Sequence, residues 1–137
     1  MNELSVARGW LDRFQDCVRG LDYAGARALF DPDVKAYGSL AGNLEGLQAL
    51  EARQWRRVWP WIRDFTFQAD KMRLEGTVPS GVLTLALPWS SRGVSAGDPA
   101  FDRPGRATLV LRLGGDGAWR CVHSHYSLLP VDPGAPR

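Results

Sequence analysis

The chain has 137 residues, of which 45% are hydrophobic and 23% charged, a balance that fits one globular domain and excludes a disordered or fibrous protein. Its 17 basic side chains against 15 acidic ones leave a net charge of +2, too small to draw nucleic acid phosphates over distance. The longest apolar stretch, 82–89, is broken by Thr84 and Pro88 and falls far short of the ~20 residues that cross a bilayer, so neither nucleic acid nor membrane is an expected partner.

The N-terminal residues include Glu3, Arg8 and Asp12 and do not read as a secretory signal, so a cytoplasmic location is expected. Cys17 and Cys121 lack CxxC spacing and read as reduced, partly buried thiols. Leu4, Ala7, Leu11, Phe14, Val18 and Leu21 recur at three- and four-residue steps, predicting an amphipathic helix over 3–20 with Trp10 and Cys17 flanking its buried stripe. Gly20 ends it, Asp22 is placed to cap a second helix over 23–30, and Pro32 is expected to stop that one. Residues 34–37 read as extended, and Gly38, Gly42, Asn43 and Gly46 as a loop.

A third helix is predicted from Leu47, Leu50, Trp55, Val58, Trp59 and Ile62, bent or ended by Pro60, with Trp55 and Trp59 one turn apart on one face. Alternation then predicts a strand around Phe65 and Phe67 and another over 82–87, joined near Gly76 to Gly81. The connection from Pro88 to Gly105 reads as a long loop, a lid or interface arm. Strands over 106–113 and 119–128 flank the Gly114-Gly115-Asp116-Gly117 turn and form a hairpin. Residues 130–137, rich in proline, are expected to be a disordered tail, leaving one domain over 1–129. Helices first and an antiparallel sheet afterwards give an α+β class, with a curved sheet around a cavity.

The sequence lacks a phosphate-cradling glycine loop, GxSxG, HExxH and CxxC. What it offers is a set of side chains. Strict alternation along the last strand would put Cys121, His123 and His125 on one face, about 7 Å apart at successive steps. The His-x-His pair has a chelating spacing, but the chain holds no other histidine, so no metal is assigned. His123 and His125 read instead as hydrogen-bonding groups in a sheet or dimer contact, or as a proton shuttle. Val122, Ser124 and Tyr126 take the opposite face. Trp10, Phe14, Tyr37, Trp55, Trp59 and Trp89 are candidate pocket walls, with plain core packing as the competing reading. Arg106 could hold an anion or merely pair with Asp98 or Asp102. Asp31 and Asp33 read as turn residues.

The segment Trp119-Arg120-Cys121-Val122-His123-Ser124-His125-Tyr126-Ser127, after a Gly-Asp-Gly turn, resembles the closing strand of SnoaL-like domains and of the calcium/calmodulin-dependent kinase association domain, whose pattern reads Trp-x-x-Val-His-x-His-x-Ser. Ala36-Tyr37-Gly38-Ser39 with Gly46, and Gly105-Arg106-Ala107-Thr108, resemble other marks of that branch. The resemblance implies a nuclear transport factor 2-like, cystatin-like cone: N-terminal helices packed on the concave face of a curved, mostly antiparallel sheet, usually as a homodimer. Aligned with the ketosteroid isomerases that share it, Phe14 stands where a tyrosine donor is found, Ala36 near the general base and Leu109 near the second oxyanion donor, so none of those functions carries over. Aligned with the kinase association domain, Val110 and Tyr126 stand at the pocket arginines. With Tyr126 turned toward the cavity, the histidines face outward.

The leading expectation is a homodimeric domain that binds an apolar or aromatic small molecule, with Tyr126, Ser124 and Tyr37 as polar anchors and no cofactor. The alternatives are an isomerase, cyclase or lyase using His123 or His125, and a structural dimerisation module.

Overall fold

The computed structural model describes residues 2–130; of the tail expected at 130–137, all but Pro130 lie outside the described residues. The first helix, α1 (Glu3–Gly20), starts at Asn2, whose side chain accepts from the Ser5 amide at 2.9 Å. Val6, Ala7, Trp10, Leu11, Phe14, Cys17 and Val18 form its buried stripe, while Leu4 and Leu21, expected in that stripe, are exposed at its two ends. Leu21 itself, at φ 52°, takes the left-handed position after the helix. Asp22 caps α2 (Tyr23–Arg27) by accepting from the Gly25 amide at 2.9 Å.

The second helix is shorter than expected, because Phe30 already begins β1 (Phe30–Tyr37) and Pro32 lies inside that strand. The parallel pairing of β1 with the last strand slips between Phe30 and Lys35, which leaves the proline, with no N–H to give, where no ladder bond is required. Asp31 accepts from the Asp33 amide at 2.8 Å, a local turn within the same irregularity. After β2 (Leu44–Glu45), the third helical run is not uniform. It passes from α3 (Leu47–Leu50) through a π-helical turn, Glu51–Trp55, into α4 (Arg56–Val58) and a 3₁₀ turn, Trp59–Trp61, that contains Pro60.

The remaining elements are β3 (Ile62–Phe67), β4 (Arg73–Thr77), β5 (Val82–Ser95), β6 (Asp98–Asp102), β7 (Gly105–Leu113) and β8 (Trp119–Leu128). Two expectations are corrected here. The strand partnered with 82–87 across the Gly76–Gly81 turn is β4, while β3 pairs with the far half of β5. The segment from Pro88 to Gly105 is no lid: β5 runs on to Ser95 and returns as β6. Its burial alternates without a break past Pro88, with Trp89, Ser91 and Gly93 following Leu83, Leu85 and Leu87 inward.

The strands join in the order β2-β1-β8-β7-β5-β3, with β4 and β6 also bonded to β5. All pairings are antiparallel except β1 with β8. Four of them carry a register shift, and such bulges bend a sheet. The bent sheet turns its apolar face, with Leu85, Leu109, Leu111 and Cys121 fully buried, toward α1. Gly105 permits one close approach: a Cβ there would overlap the Trp89 ring and the Ser127 carbonyl.

Phe14 occupies the centre of this contact, with the rings of Trp10, Phe30, Trp55, Trp59 and Phe67 all within 6.3 Å of its own. Replacing Phe14 by Ala is expected to lower stability by about 3–5 kcal/mol, read as a lower urea midpoint with an unchanged slope.

Both thiols are free and buried. Burial raises Cys17, helped by Asp22 and Asp16, and pushes Cys121 up to about 12 from an ordinary 9.0. Because both folded values lie above the unfolded ones, their contribution to stability is complete below pH 9.0 and declines as pH climbs toward 12. At pH 8, Ellman's reagent is expected to label neither cysteine in the folded chain and both in urea. Fast labelling of the folded protein would show that the thiols are accessible.

Candidate functional site

One end of the cone holds a small cavity. Phe14 and Val18 of α1, Trp55 of the π turn, Trp59, Ile62 and Phe65 form its apolar wall, with Trp89 of β5 and Ser124 and Tyr126 of β8 completing it. Trp55 stacks on Trp59 at 5.0 Å between ring centres, and Tyr23 stacks on the other side of Trp59 at 5.1 Å. The guanidinium of Arg56 caps Tyr23 at 4.1 Å, so this part of the wall is braced from outside.

Gly38, Ser39, Gln54 and Arg103 supply the polar side of the lining. The wide turn of the π helix buries two successive residues, Gln54 and Trp55. Gln54 then bridges the helix to the β1–β2 loop: its Oε1 accepts from the Leu40 and Ala41 amides at 3.1 Å each, and its Nε2 donates to Ser39 Oγ at 2.9 Å. Gly38 makes room for that amide, since a Cβ there would overlap it. Arg103 closes the other side, donating from Nη2 to the same Ser39 oxygen at 2.9 Å with its guanidinium 5.6 Å over the Trp89 ring.

Arg103 makes no ion pair among the described residues, and burial lowers its pKa, though an arginine remains cationic throughout the physiological range. Beside it lie two orphans. Among the described residues, Trp89 Nε1 and the Tyr126 hydroxyl are buried without a hydrogen-bond partner, on rings 6.2 Å apart. Each such group costs about 1–3 kcal/mol in a folded interior. Burial holds the Tyr126 phenol well above its ordinary pKa, keeping the hydroxyl neutral and able to donate.

Of the residues singled out in the sequence, Phe14, Trp55, Trp59, Trp89, Ser124 and Tyr126 come together here. Trp10 does not: it is fully buried one layer deeper, and its Nε1 is satisfied by the Leu29 carbonyl at 3.0 Å. Tyr37 is also among the lining residues, with a half-exposed ring that stands edge-on to His123 and His125, at 6.0 and 5.3 Å. Arg106 lies outside the cavity, donating to Ser127 Oγ at 3.3 Å, while Asp102 pairs with Arg92 at 2.7 Å.

The face predicted for Cys121 is also corrected. The β7–β8 register shifts so that Leu111 faces Cys121 but Val110 faces His123, which makes Val122 the extra residue of a bulge. Cys121, Ser124 and Tyr126 therefore share the inner side with Leu111, Leu109 and Ala107, and both histidines turn outward. Among the described residues, no three His, Cys, Asp or Glu side chains cluster as metal ligands. Phe14, Ala36 and Leu109, at the positions matched to isomerase groups, are buried apolar side chains.

Arg103 and Gln54 are absent from the sequence-based candidates. Arg103 had a signal: carrying the inward parity of Leu109, Ala107 and Gly105 back by one step reaches residue 103, while Arg106 has the outward parity. Gln54 had none, because regular helical spacing gives no reason to bury both it and Trp55.

Unpartnered and partnered donors make a direct contrast. Tyr126→Phe is expected to raise the stability of the free protein by about 1 kcal/mol, and Trp10→Phe to lower it by at least as much, both read by chemical denaturation. A lower midpoint for Tyr126→Phe would show that its hydroxyl has a partner in solution.

No curated protein matches this sequence. Several solved structures share its fold. A nuclear transport factor 2-like superfamily protein from Salmonella enterica aligns with a TM-score of 0.76 at 16% identity, over 97% of this chain and 98% of that one. A ketosteroid isomerase-like protein from Erwinia carotovora aligns at 0.78 and 13% identity, over 93% and 97%. An uncharacterized protein with a cystatin-like fold from Caulobacter vibrioides aligns at 0.75 and 12%, over 95% and 92%. Among the described residues no helix is long and apolar enough to cross a membrane. The SnoaL-like domain model matches residues 8–132, nearly the whole chain, and the protein belongs to that family.

Proposed function

We propose that this domain binds a compact small molecule with an apolar or aromatic body, held in the cavity among Phe14, Trp55, Trp59 and Trp89. The observation that carries this reading is the pair of buried donors, Trp89 Nε1 and Tyr126 OH, left unsatisfied at the end of an aromatic wall. Native interiors rarely keep such groups, and a ligand or ordered water that completes them offsets their cost. About 40 Å³ is open to the centres of water molecules, room for roughly three waters. A ring-sized ligand enters by displacing them and swinging Arg103 away from Ser39.

A proton-shuttle reading finds less support. Neither histidine lines the cavity, so an isomerase, cyclase or lyase built on them would need its substrate on the outer face of the sheet. That outer face serves better as the contact of a homodimer, with Tyr37, His123 and His125 forming a half-exposed aromatic patch. A purely structural dimerisation module would gain nothing from unsatisfied donors in its interior.

Titration with a panel of small neutral aromatics, indole and benzyl alcohol among them, is expected to give saturable quenching of tryptophan fluorescence. Val58 also lines the cavity, and Val58→Trp, which fills it, abolishes the quenching. Absence of any saturable change would overturn the binding reading. Native mass spectrometry at micromolar concentration reads the assembly, with a dimer expected and a monomer refuting that part.

A further inference from the structure

The cavity described above has three donor groups in its lining and, among the described residues, no anionic side chain facing them. An indole N–H and a guanidinium only donate, and a phenol held neutral has its O–H free. Among the described residues lining the cavity there is no carboxylate and no histidine. The Gln54 carbonyl oxygen is already taken by two backbone amides. The Arg103 guanidinium gives one hydrogen bond, to Ser39, out of its five N–H donors. Its guanidinium lies 5.6 Å from the Trp89 ring, and the Tyr126 ring lies 6.2 Å from that same indole.

We infer that the ligand is a compact ring carboxylate, its carboxylate taken by Arg103 together with Trp89 Nε1 and Tyr126 OH and its ring by the aromatic wall. This rests on the small-molecule reading above and narrows it to a charge and a functional group. A carboxylate has about four acceptor positions, enough for a forked contact with the guanidinium and one bond from each orphan. The position of Arg103 fits that role. It is shared between the deep cavity and a shallower apolar trough outside it, formed by Leu40, Trp61, Phe101 and Leu128. An anion arriving from solvent therefore meets the cation before its ring passes inward. A neutral ligand could satisfy the orphans but would leave the guanidinium partly buried without a counter-charge.

Benzoate and benzyl alcohol, which share a ring and differ in charge, separate this inference from its foundation. Isothermal titration at pH 7.5 is expected to show benzoate binding at least about tenfold more tightly, the scale of a charge-assisted over a neutral hydrogen bond. Arg103→Met collapses that preference, Arg103→Lys restores part of it, and Tyr126→Phe weakens benzoate about threefold to tenfold. Far-ultraviolet circular dichroism checks that each variant is folded. If Arg103→Met does not fold, the Lys and Phe variants decide. Equal binding of the two probes, or tighter binding of the alcohol, overturns the carboxylate assignment and leaves the small-molecule reading standing. Binding of neither probe overturns both.

Discussion

The contact between the aromatic stripe of α1 and the concave face of the sheet organises everything else in this molecule. Trp10 and Phe14 stack at 5.2 Å and drive into the rings of Phe30, Trp55, Trp59 and Phe67. Aromatic side chains bury ~150–250 Å² each, so this one seam supplies a large share of the apolar burial of the fold. The sheet can wrap it because its pairings slip at several points and bend instead of lying flat. The helix does not fill the whole hollow, however. Trp10 seats deep and is satisfied by Leu29, while the space beyond Phe14 is closed from other elements by side chains that are partly polar.

That unfilled end holds a partly buried guanidinium with no acid beside it among the described residues. Four arginines find acids: Arg27 and Arg56 share Glu51, Arg92 takes Asp102, and Arg120 takes Asp116, whose carboxyl is held well below its usual range by that guanidinium. Arg103 is the contrast. It rests on a serine and the face of an indole, two partners that steady a cation without neutralising it. Gln54 and Ser39 keep the same corner hydrogen-bonded and anchored to the β1–β2 loop. The mouth of the cavity is thus held in place by neutral bonds that a guanidinium can exchange for better ones.

The parts of the fold that were legible in the sequence are those written in local periods. The three-and-four spacing of α1, the glycine turn between β7 and β8 and the one-turn separation of Trp55 and Trp59 all follow from neighbouring residues. Elements that depend on distant partners were harder to read. Pro88 suggests an end to β5, but the inward alternation of Trp89, Ser91 and Gly93 shows that the strand goes on. β4, with its burial pattern mostly exposed, carries little hydrophobic signal and is held by its hairpin with β5. The aromatic wall was visible as residue types, but its membership was not. Trp10 carries the same chemistry as Trp59 and Trp89, and only its depth on α1 keeps it out of the lining. Gln54 depends on a widened helical turn for which the residues give no sign.

The bulge at Val122 decides more than curvature. It absorbs one residue, so the strand enters it with Cys121 inside and leaves it with Ser124 and Tyr126 inside. In an uninterrupted strand the same letters would swap: the imidazoles of His123 and His125 would line the hollow, and the two hydroxyls would sit in water. A single unpaired residue therefore selects between two interiors encoded by one stretch of chain, one lined by imidazoles and one lined by hydroxyls.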